Sequence, residues 1–487
     1  MTDSDVYHGL EPRELWRHFA ALNAIPRPSG GEAAASAYVR RVAESAGATW
    51  TSDARGNTVV RVPARSGGED APAVAIQSHL DMVCEKRPDV MHDFETDPIR
   101  PRREGDLVFA SGTTLGADNG IGAAAALAFL TTPDLRHGPL ELLFTVEEET
   151  GLYGAMELDP LLLKARMLIN LDSEDPDELT VGCAGGAGAI LRLPIVSEPT
   201  PRDWYGCKVV VSGLKGGHSG VQIHERLANA IKLLVEVLIG LRETGADFRL
   251  VALSGGTAHN AIPRDATAHI AIAPKTLPAL EAGERIYDAL HSQWSVDEPD
   301  FTLHIENADT PSAVMSAQCT NTALSLLRDL PHGVVKMSEA FPGKVETSSN
   351  LANVQTLDGH LEIATSSRSF VAAELDKVQR HIETIGAAAG AEIEIRDGYP
   401  GWEPDADSRL LRVAEEVYGQ VCGKQPAVQV VHAGLECGVI VSKIPGMEAI
   451  SFGPLIRGAH TPEEYVDAST VEPTWKLLVA LLNALSH

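Results

Sequence analysis

The sequence predicts an α/β fold: a doubly wound, mostly parallel sheet, interrupted by an inserted α+β domain. Three observations predict it. The chain has 487 residues, more than one hydrophobic core usually serves, so two domains are expected. Its first third alternates helix-period segments with short continuous apolar runs, the pattern of strands buried on both faces. That texture stops after Gly185-Gly186 and returns near Gly398-Tyr399-Pro400-Gly401.

Pro12 opens a segment with Leu15, Phe19 and Leu22 on one helical face. Ser29 and Glu32 have capping-box spacing and start a second helix through about Ala46. Strand-length apolar runs follow at Ala73–Ile76, Leu140–Val146 and Met167–Leu171. In the middle region, Ala187–Val196, Lys208–Val211, Phe248–Leu253, Thr267–Ile272 and Leu361–Thr365 read as strands. Leu227–Leu241 reads as a periodic helix, and a last helix covers about Thr470–Leu485. The expected division is a catalytic domain built from 1–186 and 398–487, with 187–397 inserted.

Composition narrows the function. Apolar residues make up 44% of the chain, a globular proportion. The net charge of −27 repels nucleic acid and anionic lipid, which argues against either as partner. Solubility is the ordinary reading of such acidity; carboxylates gathered to hold cations are the other. Met1 to Leu10 is polar and acidic, unlike a signal peptide, and no run of about 18 apolar residues predicts a membrane span. Six cysteines without a C-x-x-C pair fit reduced thiols in the cytoplasm.

Five acidic or imidazole clusters sit where predicted strands end, the usual place for ligand sites in open α/β sheets. His79-Leu80-Asp81 offers a ligand imidazole and a carboxylate to orient it from behind. Asp118, in Leu115-Gly116-Ala117-Asp118-Asn119-Gly120, sits at the start of a small-residue helix. N-capping would explain it alone, and so would a carboxylate bridging two cations, with the flanking glycines letting the backbone pass close to the metals. Glu147-Glu148-Glu149 follows the most apolar strand, where three glutamates are costly unless something positive neutralises them. Asp172 and His460 complete the set. Singly, each has an ordinary reading as a satisfied histidine, a cap or a solvated charge. Together, two imidazoles and three carboxylates suit two zinc-type ions about 3.5–4 Å apart, one carboxylate bridging, with a shared water as nucleophile. Glu148 is left over as the base that takes the water's proton.

These motifs resemble the di-zinc exopeptidase family of carnosinases, aminoacylases and peptidase T-like enzymes, above all its aminoacyl-histidine dipeptidase branch. The resemblance is carried, in order, by SHLDMVCEK from Ser78, LGADNGIG from Leu115, TVEEETGL from Thr145 and NLDSED from Asn170. GLKGGHSG from Gly213, GGTAHNAIPR from Gly255, HAGLECG from His432 and GPLIRGAHTPEE from Gly453 continue it. It implies a zinc-exopeptidase-like catalytic domain and an insertion serving as lid and dimerisation domain. It implies that His79 and Asp172 bind one metal, Glu149 and His460 the other, and Asp118 both. Glu148 is then the general base and Asp81 orients His79, and the peptide bond after Asp118 is cis. Gly151 sets this register in the glutamate run. His218 matches the histidine that stabilises the oxyanion, in its own subunit or across a homodimer. Asn260, Arg368 and the Gly434-Leu435 backbone match the groups that hold a substrate carboxylate, for which an arginine's two-pronged geometry is suited. Asp172, where relatives that remove acyl groups often carry Glu, leans the expectation toward a dipeptidase, with Xaa-His peptides such as β-Ala-His among its substrates. A tripeptidase or deacylase, or a catalytically silent binding protein of the same fold, are the alternatives. Zinc is the expected metal, with cobalt and manganese able to occupy such a site.

Overall fold

The computed structural model describes residues 6–274, 277–405 and 407–486. Met1–Asp5, half of the stretch read for a signal peptide, lie outside the described residues. Two compact units partition the chain. The first comprises Met1–Cys183, Trp402–Val431 and Leu435–His487, and the second Ala184–Gly401 and His432–Gly434.

In the first unit an eight-stranded sheet runs in the order Thr49–Ser52, Thr58–Val62, Leu140–Thr145, Val74–His79, Met167–Asn170, Glu448–Ser451, Glu178–Cys183, Ala427–Val431. The Val74–His79 strand lies parallel to both of its neighbours, and all three are buried along their whole length. Burial on both faces is why these strands carry unbroken apolar runs instead of alternation. Parallel pairing puts the strands' carboxyl ends at one edge of the sheet. His79 is in register with Thr145, and Gln77 with Asn170, so the segments after each strand leave that edge side by side.

The helix Arg13–Asn23 buries Leu15, Phe19 and Leu22 as the spacing predicts, and packs on the helix Ala117–Thr131. The second helix, Ala33–Ser45, lacks the expected capping box. Ser29 Oγ donates instead to Asp81 Oδ2 at 2.8 Å, and Glu32 Oε1 accepts the N–H of Glu147 at 2.9 Å. Both side chains turn to the strand-end loops, whose buried groups need partners more than an exposed helix end does. A four-stranded antiparallel ribbon pairs Pro101–Glu104, Leu107–Ala110, Tyr465–Asp467 and Ile456–Arg457. Residues 458–464 are therefore the loop of a hairpin, and that loop carries His460.

The second unit is built on a nine-stranded antiparallel sheet among the described residues. Two of its longest strands, Val345–Leu357 and His360–Ser369, pair along most of their length. The helices Ala230–Glu243 and Ala372–Ala389 pack against this sheet. Asn229 caps the first of them, its side-chain oxygen accepting from the N–H groups of Ile231 and Lys232. Among the described residues no helix is long and apolar enough to cross a membrane.

Candidate metal centre

Five side chains converge at the carboxyl edge of the parallel sheet. Asp118 lies at their middle. Its Oδ1 is 3.1 Å from His79 Nε2, and its Oδ2 is 3.3 Å from His460 Nε2. Asp172 Oδ1 is 3.4 Å from His79 Nε2, and Glu149 Oε2 is 3.0 Å from His460 Nε2. The two oxygens of one carboxylate thus face two separate sets of donors. Within each of the groups His79, Asp118, Asp172 and Asp118, Glu149, His460, one ligand atom per residue lies within 4.8 Å of the others. His79 with Glu148 and Glu149 forms a third such group. Asp118 is non-helical (ψ 111°), although it sits at the start of a helix, and the Asp118–Asn119 peptide bond is cis.

Local sequence explains how each group is held. Asp81 is fully buried and acts as a hub. Its Oδ1 accepts the N–H of Glu148 at 3.1 Å and lies 3.3 Å from His79 Nδ1. Its Oδ2 accepts the N–H of Glu149 at 3.1 Å as well as the Ser29 hydroxyl. A single carboxylate thereby fixes both the His79 imidazole and the backbone of the glutamate pair. Asn119 donates to Leu171 O at 2.8 Å and to Asp172 Oδ1, which anchors that carboxylate. The run of three glutamates is split by the backbone. Glu147, with φ +50°, turns away and pairs with Arg55 at 2.8 Å, while Glu148 and Glu149 stay with the cluster. His460 also has a positive φ of +66°, a region in which a non-glycine residue carries strain.

The electrostatics suit cations. Burial raises the carboxyl groups of Glu148, Glu149 and Asp172 above their ordinary values, against the favourable pull of the two histidines. His460 is raised to about 11 by its hydrogen bonds to Asp118 and Glu149. For His79, burial opposes protonation, but Asp172, Asp118 and Asp81 override it and hold the ring well above its ordinary value. Both imidazoles are thus drawn toward carrying positive charge among carboxylates, the place a divalent ion takes in such a donor set. Glu149 Oε1 is buried and has no hydrogen-bond partner, a further open ligand position. The residues present fit divalent metals.

Several neighbours were not singled out by the motifs. Arg27 and Glu464, both buried, bind the backbone of the Asp118 loop. Glu436, fully buried, accepts from Gln77 Nε2 and from Thr145 Oγ1, both at 2.6 Å. Burial raises its carboxyl group to about 8. Gln77 passes the chain of hydrogen bonds to Asn170, whose Oδ1 accepts the N–H of Asp172. Glu174 is raised to about 8 by burial and by Asp118 and Asp172. Glu436 and Glu464 stood inside quoted motifs; a buried position was the missing signal.

In the second unit, His218 and Arg368 lie together, both close against Gly220. His218 Nδ1 accepts the N–H groups of Gly220 at 3.2 Å and Val221 at 3.0 Å. Burial, then Arg368 and His259, lower the ring's basicity. A neutral ring that accepts at Nδ1 carries its proton at Nε2, free to donate. Arg368 Nη1 donates to the Tyr399 hydroxyl at 2.7 Å, and its buried Nε has no partner. Gly434 stands against the Tyr399 ring, where a Cβ would collide. Asn260 is exposed and meets this group through its backbone, its carbonyl accepting the N–H of Ser219 at 2.8 Å. Leu435 belongs to the first unit and precedes the helix Glu436–Lys443.

The chain is 41% identical over 477 residues to the cytosol non-specific dipeptidase of Escherichia coli (strain K12), covering 98% of each chain. Its fold matches the aminoacylhistidine dipeptidase of Vibrio alginolyticus with a TM-score of 0.91 and 37% identity, over 99% of this chain and 98% of that one. The aminopeptidase PepT of Bacillus cereus, 17% identical, shares the fold with a TM-score of 0.57 over 98% of this chain and 100% of its own. The model of peptidase family M20/M25/M40 matches residues 75–484, and the chain belongs to that metal-dependent family.

Proposed function

We propose that the protein is a metallo-dipeptidase that hydrolyses small unblocked dipeptides, Xaa-His peptides such as β-Ala-His among them. One observation carries the reading: the two oxygens of Asp118 are divided between a His79–Asp172 set and a His460–Glu149 set. His79 and Asp172 would hold one divalent ion, Glu149 and His460 a second, and Asp118 both; zinc suits the donors, as do cobalt and manganese. Bound there, the ions would polarise the scissile carbonyl and acidify water.

The chain's own groups do the rest. Glu148, with its N–H tied to Asp81, takes the proton of the attacking water and returns it to the leaving amine. The His218 Nε2–H is the donor for the oxygen that becomes negative as the carbonyl is attacked. Arg368 receives the substrate carboxylate with its unpaired Nε, with Asn260 and the Gly434-Leu435 backbone as further donors. Recognition of that carboxylate sets the substrate's length, which favours dipeptides over tripeptides. Relatives named for dipeptide substrates, one of them for the cytosol, support the activity and a cytoplasmic location. A homodimer, with His218 serving either subunit, accords with the resemblance in the inserted domain.

The test is a substrate panel on metal-loaded protein: β-Ala-His, ordinary dipeptides, a tripeptide and an N-acetyl amino acid. Turnover of the dipeptides is expected. Preference for the tripeptide or the acyl amino acid would reassign the substrate, and metal binding without turnover would indicate a silent binding protein.

A further inference from the structure

Arg27 and Glu464 both bind the backbone of the loop that carries Asp118. Arg27 is 2% exposed. Its Nη1 donates to the carbonyls of Leu80 and Asp81, both at 2.9 Å, and its Nη2 to the carbonyl of Gly116 at 2.6 Å. One guanidinium therefore ties the His79 loop to the Asp118 loop. Glu464, also 2% exposed, accepts from four consecutive backbone N–H groups of the second loop. Its Oε2 takes Leu115 at 2.6 Å and Gly116 at 2.9 Å, and its Oε1 takes Ala117 at 2.7 Å and Asp118 at 3.3 Å. It stands in the hairpin loop of His460, which is tightened by the N–H of Glu464 on Thr461 O at 3.1 Å. Three loops bearing His79, Asp118 and His460 are thus joined through one buried arginine and one buried glutamate.

The glycines of the motif agree with this role. A Cβ at Gly120 would stand 2.7 Å from Arg27 Nη2, and one at Gly116 would collide with the same atom. These glycines make room for the guanidinium.

We infer that Arg27 and Glu464 are positioning residues that set the spacing of His79, Asp118 and His460, and so the affinity of the two-cation site. The inference rests on the proposed metal centre. Neither residue is a ligand or touches substrate; each acts through backbone groups. Each side chain satisfies buried backbone groups that a substitution would orphan, so loss of stability alone would say nothing about positioning. The double variant Arg27→Met/Glu464→Gln removes both charges together, and Gly120→Ala displaces the guanidinium without changing charge.

Four proteins are compared: wild type, Glu464→Gln, the double variant and Gly120→Ala. Zn2+ affinity is measured by chelator competition, at a temperature where circular dichroism shows each folded. Thermal melting without and with Zn2+, and kcat and KM for β-Ala-His, complete the set. The expected result is Zn2+ affinity lowered by about 10–100-fold in all folded variants, as for other groups behind metal ligands. The double variant leaves the carbonyls of Leu80, Asp81 and Gly116 without donors, so it should melt below wild type as well as bind Zn2+ more weakly. At saturating Zn2+, kcat should fall while KM stays within about twofold. Wild-type affinity and kcat in a folded double variant and in Gly120→Ala would overturn the inference while leaving the metal reading intact. A wild type that binds no Zn2+ would overturn both.

Discussion

Asp81→Asn tests how the site is held together, and its effect follows from the hydrogen bonds. Each carboxylate oxygen of Asp81 accepts a backbone N–H, Oδ1 from Glu148 and Oδ2 from Glu149. An asparagine must aim its NH2 at one of them, whichever way it turns, so one buried N–H loses its acceptor. That costs about 1–3 kcal/mol. The change also removes the negative charge behind His79, and such changes lower metal affinity or activity by about 10–100-fold. In the folded protein this carboxyl is held down to about 2, because the His79 and Ser29 bonds and the Glu148 N–H outweigh burial. Urea unfolding should give the stability loss, and chelator competition with Zn2+ the affinity loss, in the same variant. Stability and Zn2+ affinity both at wild-type levels would refute the assignment of Asp81 as the hub.

Glu148→Gln should reduce kcat by about 10²–10⁴-fold while Zn2+ stoichiometry stays unchanged; unchanged turnover would remove Glu148 as the base. Arg368→Gln should raise KM for dipeptides by roughly 10–100-fold, because charge-assisted hydrogen bonds are worth about 1.5–3 kcal/mol, and Arg368→Lys should restore little of it. Steady-state kinetics on β-Ala-His checks both. The second unit should be acid-sensitive through His332, which burial and then Lys232 push down to about 4. Its folded value lies below the ordinary 6.5, so the unfolded chain binds the extra proton. This group's contribution is therefore complete above pH 6.5 and is lost as pH falls toward 4, by about 1.4 kcal/mol per pH unit. His332→Gln keeps an acceptor for Asn229, which donates to the ring at 3.2 Å, and should flatten that part of the slope in urea titrations.

The parallel sheet was legible because burial on both faces leaves a plain signature, unbroken apolar runs such as Leu140–Val146. Residues at the ends of those runs were legible as a site for the same reason: parallel register brings His79, Glu149 and Asp172 to one edge, whatever loops intervene. What the sequence hid was the destination of polar side chains whose partners are backbone groups far along the chain. Ser29 and Glu32 have the spacing of a helix cap, yet they serve Asp81 and Glu147. Arg27 lies 89 residues from Gly116, whose carbonyl it binds, and no local pattern announces that bond. In the doublet Glu463-Glu464, the first is exposed and pairs with Arg87, while the second is buried on four N–H groups. Identical residues side by side take opposite roles because the hairpin turns one outward. In the glutamate run, the positive φ at Glu147 makes the same distinction.

The central claim is that Asp118 stands between two cations. Anomalous diffraction at the zinc edge, from crystals grown with Zn2+, tests it directly. Two peaks about 3.5–4 Å apart should flank Asp118, one against His79 and Asp172 and the other against Glu149 and His460. A single peak, or peaks away from Asp118, would contradict it.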